Sequence, residues 1–376
     1  MKYRLAYGVI FSAALGCSFS VNSKTSISEP QPSQAALENL GQQIFFDTRL
    51  SEPQGQSCAS CHNPQHAYAH KNVSVSPGAT PRLLGKRNAP SLSYSSLTPA
   101  WHFNNEDETW IGGFFVDGRA LTLEEQALGP LLDPLEMALP SKVILAQRIK
   151  SGPYAKVLES LYGTELWKDS DNVATLIAKS LVAFQSSDSF TPRFTSKYDA
   201  YLRGKTQLTP QETRGLQLYE AEDKGNCAAC HQSQIGENGE WPLFTDFSYD
   251  NLGLPKNPEL AFLKASVEHN PLGENFVDRG LADNPNILDS LAQLGKFKVP
   301  TLRNITVTGP YMHNSLFSDL TEAVEFYNSR DIEEKWSTPE IAENVNKDEL
   351  GDLKLTSQEV EDIVVFLGTL TDGWSQ

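Results

Sequence analysis

The sequence has fewer basic than acidic residues, and its apolar runs are short. Lysine and arginine number 31 against 47 aspartates and glutamates, which gives a formal net charge of −16. This balance argues against nucleic acid as a partner, because phosphate backbones are bound by basic surfaces. The apolar stretch 5–15 follows Lys2 and Arg4 and is too short to span a bilayer. We therefore interpret 1–17 as a secretory signal and expect an exported, periplasmic protein.

Cysteine is also scarce, with five residues in the chain. Four of them form two pairs, and Cys17 is left over at the end of the signal. An envelope lipoprotein would be cleaved and acylated at such a cysteine, although Ala14 and Leu15 are swapped from the usual order of such sites. Cys17 thus either carries a lipid anchor or is lost with the signal. The stretch 18–35, rich in Ser, Pro and Gln, predicts a flexible tether.

The two cysteine pairs both have the form Cys-x-x-Cys-His. They comprise Cys58, Cys61, His62, Cys227, Cys230 and His231. Two thiols at this spacing attach a haem covalently, and the histidine that follows ligates its iron, so we predict two haem c cofactors. A single zinc ion would normally be held by pairs closer in sequence and would need no trailing histidine. A thioredoxin-like redox pair would need alternating strands and helices around it, which the sequence lacks.

Strand signals are rare throughout, so we predict a mainly α, loop-rich fold. Apolar residues at helical spacing over 36–46 and 209–221 lead into the two motifs, the second helix opening with a capping box at Thr209. Because a helix leads into a haem loop twice, we predict two cytochrome c-like domains related by internal duplication, 36–200 and 201–376. Other predicted helices lie near 123–130, 141–162, 171–187 and, after a capping box at Thr356, 357–370.

Further motifs have a characteristic order. They are Asp117-Gly118-Arg119-Ala120, Leu123 to Pro130, Glu136-Met137, Pro300-Thr301-Leu302-Arg303-Asn304 and Thr308 to His313. With the two haem motifs, they resemble the bacterial dihaem cytochrome c peroxidase and MauG superfamily over about 36–371. The resemblance implies that hydrogen peroxide is activated at the N-terminal haem with electrons delivered through the C-terminal haem. The partner would be a protein substrate in the MauG-like branch, or a small donor protein in a detoxifying peroxidase. A non-catalytic electron carrier with both irons fully ligated is the third alternative.

The expected catalytic residues are Glu136 and Gln126. A peroxidase needs a base that takes a proton from hydrogen peroxide and returns it to the departing oxygen. Glu136 stands at the family's position for this base, and the apolar Leu135 and Met137 beside it predict burial and a raised pKa. Gln126 matches the family's distal-pocket glutamine, which implies a role in orienting peroxide by a hydrogen bond.

The sixth ligand decides whether the iron of the first haem has a free position for peroxide. Where classical peroxidases supply a distal histidine, this chain has Gly78. His66 and His70 follow His62 too closely to reach the opposite haem face, and His102 is interpreted as structural. We therefore expect a five-coordinate first haem, which resembles MauG.

The second haem has two ligand candidates, Tyr327 and Met312. The only thioethers after the signal are Met137 and Met312, and neither stands where the peroxidase branch places its axial methionine. That position is Tyr327, so the resemblance implies a tyrosinate ligand that stabilises ferric and higher oxidation states. The alternatives are that Met312 is the ligand or that Tyr327 only packs.

Two further expectations rest on the resemblance alone. Most members have a tryptophan relay before Asp-Gly-Arg-Ala, but this chain has Val116, so coupling between the haems would use direct tunnelling or another aromatic such as Phe115 or Trp110. The family also carries a calcium ion between its domains. The matching ligand positions are Asn88, Thr308 and Pro310.

Overall fold

In the computed structural model, the chain is described over residues 32–80, 82–332 and 334–375. The predicted secretory signal, Cys17 and residues 18–31 of the predicted tether therefore lie outside the described residues. Among the described helices, none is both long and apolar enough to cross a bilayer.

The described chain is largely helical with long irregular connections, as the sequence predicts. The helices are α1 (Gln34–Phe45), α2 (Cys58–Cys61), α3 (Leu123–Leu132), α4 (Lys142–Lys150), α5 (Ala155–Tyr162), α6 (Ser170–Ser186), α7 (Lys197–Leu202), α8 (Pro210–Glu220), α9 (Leu320–Ser329) and α10 (Ser357–Gly368). Strands are short: β1 (His102–Asn104) pairs antiparallel with β2 (Thr109–Ile111), and β3 (Tyr249–Asp250) with β4 (Phe297–Lys298).

Side-chain caps define where several helices begin. Thr209 and Glu212 form the predicted capping box at α8, and Thr356 and Glu359 form the one at α10. Asp319 caps α9 by accepting hydrogen bonds from two backbone N–H groups of its first turn. These side chains satisfy donors that the first turn of a helix leaves without partners.

The predicted single helix over 141–162 is wrong in one respect, because the structure divides it into α4 and α5. Gly152 and Pro153 lie at the break, and proline removes a backbone donor while glycine weakens helix formation. The helix expected to end near Gly129 instead continues through Pro130 to Leu132.

The two largest hydrophobic clusters of the described chain lie within the compact unit that begins at Pro32. The first core is built mainly around α1 and α6, and the second around α8 and α10. Each pair of helices crosses at a glycine. A Cβ atom at Gly41 of α1 would overlap the backbone carbonyl of Ser180, and one at Gly215 of α8 would overlap that of Asp362. The helices therefore approach more closely than any larger residue would allow.

Candidate functional site

The first Cys-x-x-Cys-His segment follows α1 and forms the short helix α2. His62 donates a hydrogen bond from Nδ1 to the carbonyl oxygen of Tyr68, at 2.8 Å. Burial lowers the pKa of His62 to about 4, so the ring is neutral and Nε2 keeps its lone pair. A histidine oriented in this way is prepared to ligate a metal through Nε2.

The second segment repeats this arrangement. His231 donates from Nδ1 to the carbonyl oxygen of Phe244, also at 2.8 Å, and burial again lowers the pKa of the imidazole to about 4. The backbone of Pro90 interacts with His62, and that of Pro300 with His231. Pro90 and Pro300 thus have the same relation to the two imidazoles.

One continuous cavity, which we call the shared cavity, borders both segments. All four cysteines of the pairs line it together with His62 and His231. The thiols are free, and burial raises the pKa of Cys58 and Cys227 to about 12. A neutral imidazole beside two protonated thiols, in a mostly apolar wall, is a donor set that fits haem c at each segment.

Glu136 and Gln126 both line the shared cavity. Burial raises the pKa of Glu136 to about 7, Asp133 adds to this effect, and Arg119 opposes it. The amide oxygen of Gln126 is buried and makes no hydrogen bond to the described residues. The two side chains thus present an easily protonated carboxylate and an unpartnered amide at the same cavity.

Gly78 packs directly against the turn that carries Glu136. A Cβ atom at Gly78 would overlap the carbonyl oxygen of Leu135, and the Ala79 N–H donates to the Glu136 carbonyl at 2.6 Å. The position of the classical distal histidine therefore has no room for a side chain. None of the nearby histidines, His66, His70 and His102, lines the shared cavity.

Tyr327 and Met312 both line the shared cavity on the side of the second segment. Burial raises the pKa of the Tyr327 phenol, and the Cys230 and Cys227 thiols add to the effect, which places the phenol near the second pair of cysteines. Met312 packs partly buried against an apolar cluster with Phe317 and Phe326. The structure thus leaves both ligand candidates beside the cavity.

Phe115 and Trp110 are the two aromatic residues named as possible replacements for the tryptophan relay, and one of them lies at the shared cavity. Phe115 and Val116 line the shared cavity, and the Arg119 guanidinium lies over the Phe115 ring at 3.6 Å. Trp110 does not line it. Its ring stacks on Trp101 with 4.6 Å between the ring centres.

The expected calcium ligands lie close together although they are distant in sequence. Asn88 donates from Nδ2 to the carbonyl oxygen of Pro310 at 3.0 Å, and Thr308 donates its hydroxyl to Ile305. Rotation of the Asn88 amide by half a turn would bring its oxygen beside that carbonyl, and paired oxygens are what calcium prefers.

Among the residues of the shared cavity that sequence reasoning did not single out are Gln185, Lys298 and His313. Gln185 has a buried amide oxygen without a hydrogen bond, and His313 has a buried Nε2 without one. His313 also stacks on Phe297 with 3.5 Å between ring centres. Lys298 and His313 stand in or beside quoted motifs, which was the available signal, whereas nothing in the helical pattern distinguishes Gln185.

Comparisons with known proteins agree with this arrangement. A family model described as di-haem cytochrome c peroxidase matches residues 35–207. The chain is 40% identical to methylamine utilization protein MauG of Paracoccus denitrificans (strain Pd 1222), covering 92% of this chain and 90% of the relative. It is 30% identical to cytochrome c551 peroxidase of Nitrosomonas europaea, covering 96% and 90%. The diheme peroxidase BthA of Burkholderia thailandensis E264 has a similar fold, with a TM-score of 0.80, 33% identity and coverage of 92% and 90%.

The resemblance inferred from the motifs is thereby confirmed over nearly the whole length of the chain. The relatives include both MauG proteins and cytochrome c peroxidases. The chain belongs to the di-haem cytochrome c peroxidase and MauG family, and it is a peroxide-dependent haem oxidoreductase.

Proposed function

We propose that this enzyme activates hydrogen peroxide at the haem of His62, exchanges electrons through the haem of His231, and oxidises residues of a partner protein in the MauG-like manner. The observation that carries the proposal is the packing of Gly78 against Leu135. A first haem without a distal histidine is open to peroxide in the resting state. Glu136 and Gln126 would be the side chains of the shared cavity that act on the peroxide there.

The bound haem would supply the iron at which the O–O bond is cleaved. Glu136 takes a proton from the near oxygen of hydrogen peroxide and returns it to the far oxygen, which leaves as water. A pKa of about 7 suits both steps, because the carboxyl group can then both accept and donate a proton at neutral pH. Gln126 orients the peroxide through its unpartnered amide.

Tyr327 would ligate the iron of the second haem through its phenolate oxygen. Its position near both cysteines of the second pair supports this role. An anionic oxygen favours ferric iron, so a tyrosinate ligand would let the second site share an oxidising equivalent with the first. Because Val116 has no oxidisable side chain, coupling between the haems would use direct tunnelling or Phe115, which lines the cavity as Phe114 does.

The two halves would be cytochrome c-like domains, 36–200 and 201–376, related by internal duplication. The crossing of α1 over α6 at Gly41 and that of α8 over α10 at Gly215 support this relation, because the glycines contact Ser180 and Asp362 in the same manner. The matched hydrogen bonds of His62 and His231 also support it.

Calcium would bind between the halves at Asn88, Thr308 and Pro310. The support is that the Asn88 side chain donates a hydrogen bond to the Pro310 carbonyl, although the two residues are distant in sequence. The protein would act in the periplasm, either held by a lipid at Cys17 or free after loss of the signal.

The position of Met312 favours a second candidate function. If Met312, which also lines the shared cavity, ligates the second iron, the chain would be a classical cytochrome c peroxidase that detoxifies hydrogen peroxide with electrons from a small cytochrome or copper protein. An acidic chain of net charge −16 suits a basic donor of either kind.

Electron paramagnetic resonance of the resting ferric protein tests the proposal. We expect one high-spin haem at His62 and one low-spin haem at His231. Two low-spin signals would contradict an open first haem and would favour the non-catalytic carrier or a peroxidase blocked by a distal ligand. Mixing the half-reduced protein with peroxide then separates these two, because reduction would release the distal ligand of a blocked peroxidase, whereas a carrier would still not react.

A further inference from the structure

Lys298 joins the two halves beside the shared cavity. Its backbone N–H donates to the Val116 carbonyl at 2.8 Å, and its Nζ donates to the Gly113 carbonyl at 2.6 Å. Lys298 stands two residues before Pro300, whose backbone interacts with His231. Lys298 of the second half therefore connects strand β4, which is followed by Pro300, to the segment of the first half that contains Gly113 and Val116.

Lys298 differs from the cations around it in its partners. Arg87 pairs with Asp117 at 2.6 Å and with Asp278 at 2.7 Å, while Arg119 pairs with Asp117 at 2.8 Å. Lys298 has no carboxylate of the described chain within ion-pair distance, although Asp117 still attracts it. Its Nζ is held by the Gly113 carbonyl and lies over the Phe114 ring.

Other titratable groups near Lys298 are already engaged. Tyr249, its partner across the β3–β4 pair, donates its hydroxyl to the Gly112 carbonyl at 2.7 Å. Asp250 accepts from the Asn346 amide at 2.6 Å. Burial lowers the pKa of Lys298 to about 8, and the attraction of Asp117 only partly opposes this.

A buried ammonium that pairs with no carboxylate of the chain is costly. Removing such a charge from water costs several kcal/mol in real proteins, on the order of what a whole core side chain contributes. An apolar side chain of the same length would avoid that cost. In a poorly polarisable wall, a unit charge acts on neighbouring redox groups with little screening.

We propose that the Lys298 ammonium raises the reduction potentials of both haems, and of the His231 haem more strongly, so that it biases where an oxidising equivalent resides between the two sites. A positive charge stabilises the reduced iron, which carries one more electron. The Lys298 charge acts on the haems through space, in the part of the cavity wall where Val116 has no side chain that could be oxidised. This inference rests on the proposed attachment of haems at Cys58 and Cys61 and at Cys227 and Cys230.

The test is potentiometric titration of the holoprotein and of Lys298→Met, with both haem potentials read from their spectra. The methionine keeps the length and apolar stem of lysine but removes the charge. We expect both potentials to fall at pH 7, the second by more. Lys296→Met is the matched control, because Lys296 lies two residues away and does not line the shared cavity.

The wild-type protein provides a second measurement that needs no variant. As pH rises and Lys298 loses its proton, the haem potentials of the wild type should fall toward those of Lys298→Met. The potentials of Lys298→Met should show no such step. Equal potentials in Lys298→Met and wild type, or an equal fall in Lys296→Met, would overturn the inference. So would the absence of the wild-type step, even if Lys298→Met failed to fold. Haem content and spin state are recorded separately, so failure of the proposed haem sites is distinguished from failure of this inference.

Discussion

Glu136 is held on a turn fastened to the end of α3. The N–H groups of Met137 and Leu139 donate to the carbonyls of Pro130 and Leu131, at 3.0 and 2.9 Å. The carboxyl group is thereby fixed at the cavity wall instead of reaching solvent, and burial follows from this position. Local sequence predicted the burial correctly, because the apolar neighbours of Glu136 belong to the same turn.

The first prediction concerns Glu136→Gln. The substitution keeps the shape of the side chain but removes the base, so reaction with peroxide should slow by about 10²–10⁴-fold while both haems are retained. Stopped-flow mixing measures the rate. In the wild type, that rate should rise as pH rises through about 7, since the base must lose its proton first. The variant should show no such rise, and Glu124→Gln on α3, which does not line the cavity, serves as the control.

The second prediction concerns Tyr327→Met. Thioether sulfur favours ferrous iron where phenolate oxygen favours ferric, so the potential of the second haem should rise. Potentiometric titration measures it. Tyr311→Phe is the control, because Tyr311 also lines the cavity but donates its hydroxyl to Ile305. An unchanged potential in Tyr327→Met would leave Met312 as the ligand and would favour the classical peroxidase.

At the scale of elements, helix caps could be predicted from sequence and helix crossings could not. The boxes at Thr209 and Thr356 involve residues three positions apart, so local sequence contains the whole interaction. Gly41 and Gly215 instead meet carbonyls far along the chain, at Ser180 and Asp362. A glycine inside a helical pattern only indicates that something approaches closely, and the tertiary structure identifies the partner.

The third prediction concerns these crossings. Gly41→Ala and Gly215→Ala should each destabilise the protein by about 1–3 kcal/mol, because the added methyl group would force the helices apart. Denaturant unfolding measures the loss. Gly368→Ala at the end of α10 has open space around its Cβ position and should be neutral or stabilising by up to about 1 kcal/mol. Equal effects at all three positions would show that helix propensity, and not the crossing, dominates.

At the scale of the whole molecule, the halves are joined by buried ion pairs that no local pattern contains. Arg87 of the first half bonds Asp278 of the second through Nε and Nη2, both at 2.7 Å. Burial alone would raise the pKa of Asp278, but the pairing with Arg87 outweighs it and holds that pKa well below its usual range. The haem segments could be read from their spacing, whereas these pairs and the position of Lys298 depend on how distant loops meet.

The fourth prediction concerns Arg87→Met. It leaves Asp278 buried without its cation, so unfolding free energy at pH 7 should fall by about 3–5 kcal/mol. Arg279→Met removes a partly exposed ion pair with Asp283 and should cost about 0–1 kcal/mol. Because the folded pKa of Asp278 is lowered, its contribution is present above the ordinary aspartate range and is lost as pH falls through the folded value. The difference between wild type and Arg87→Met in chemical denaturation should therefore shrink in acid.

The span of the Arg87–Asp278 pair also bears on how the protein is made. The partners lie 191 residues apart, so the loop around Arg87 has no counter-charge from the second half until most of the chain has been synthesised. Closing a loop of that size is slow, and the contact forms late. Until then, the Arg87 guanidinium has Asp117 of its own half as its carboxylate partner. Because Arg87 and Asp278 both line the shared cavity, we expect this part of the cavity wall to be completed late in folding.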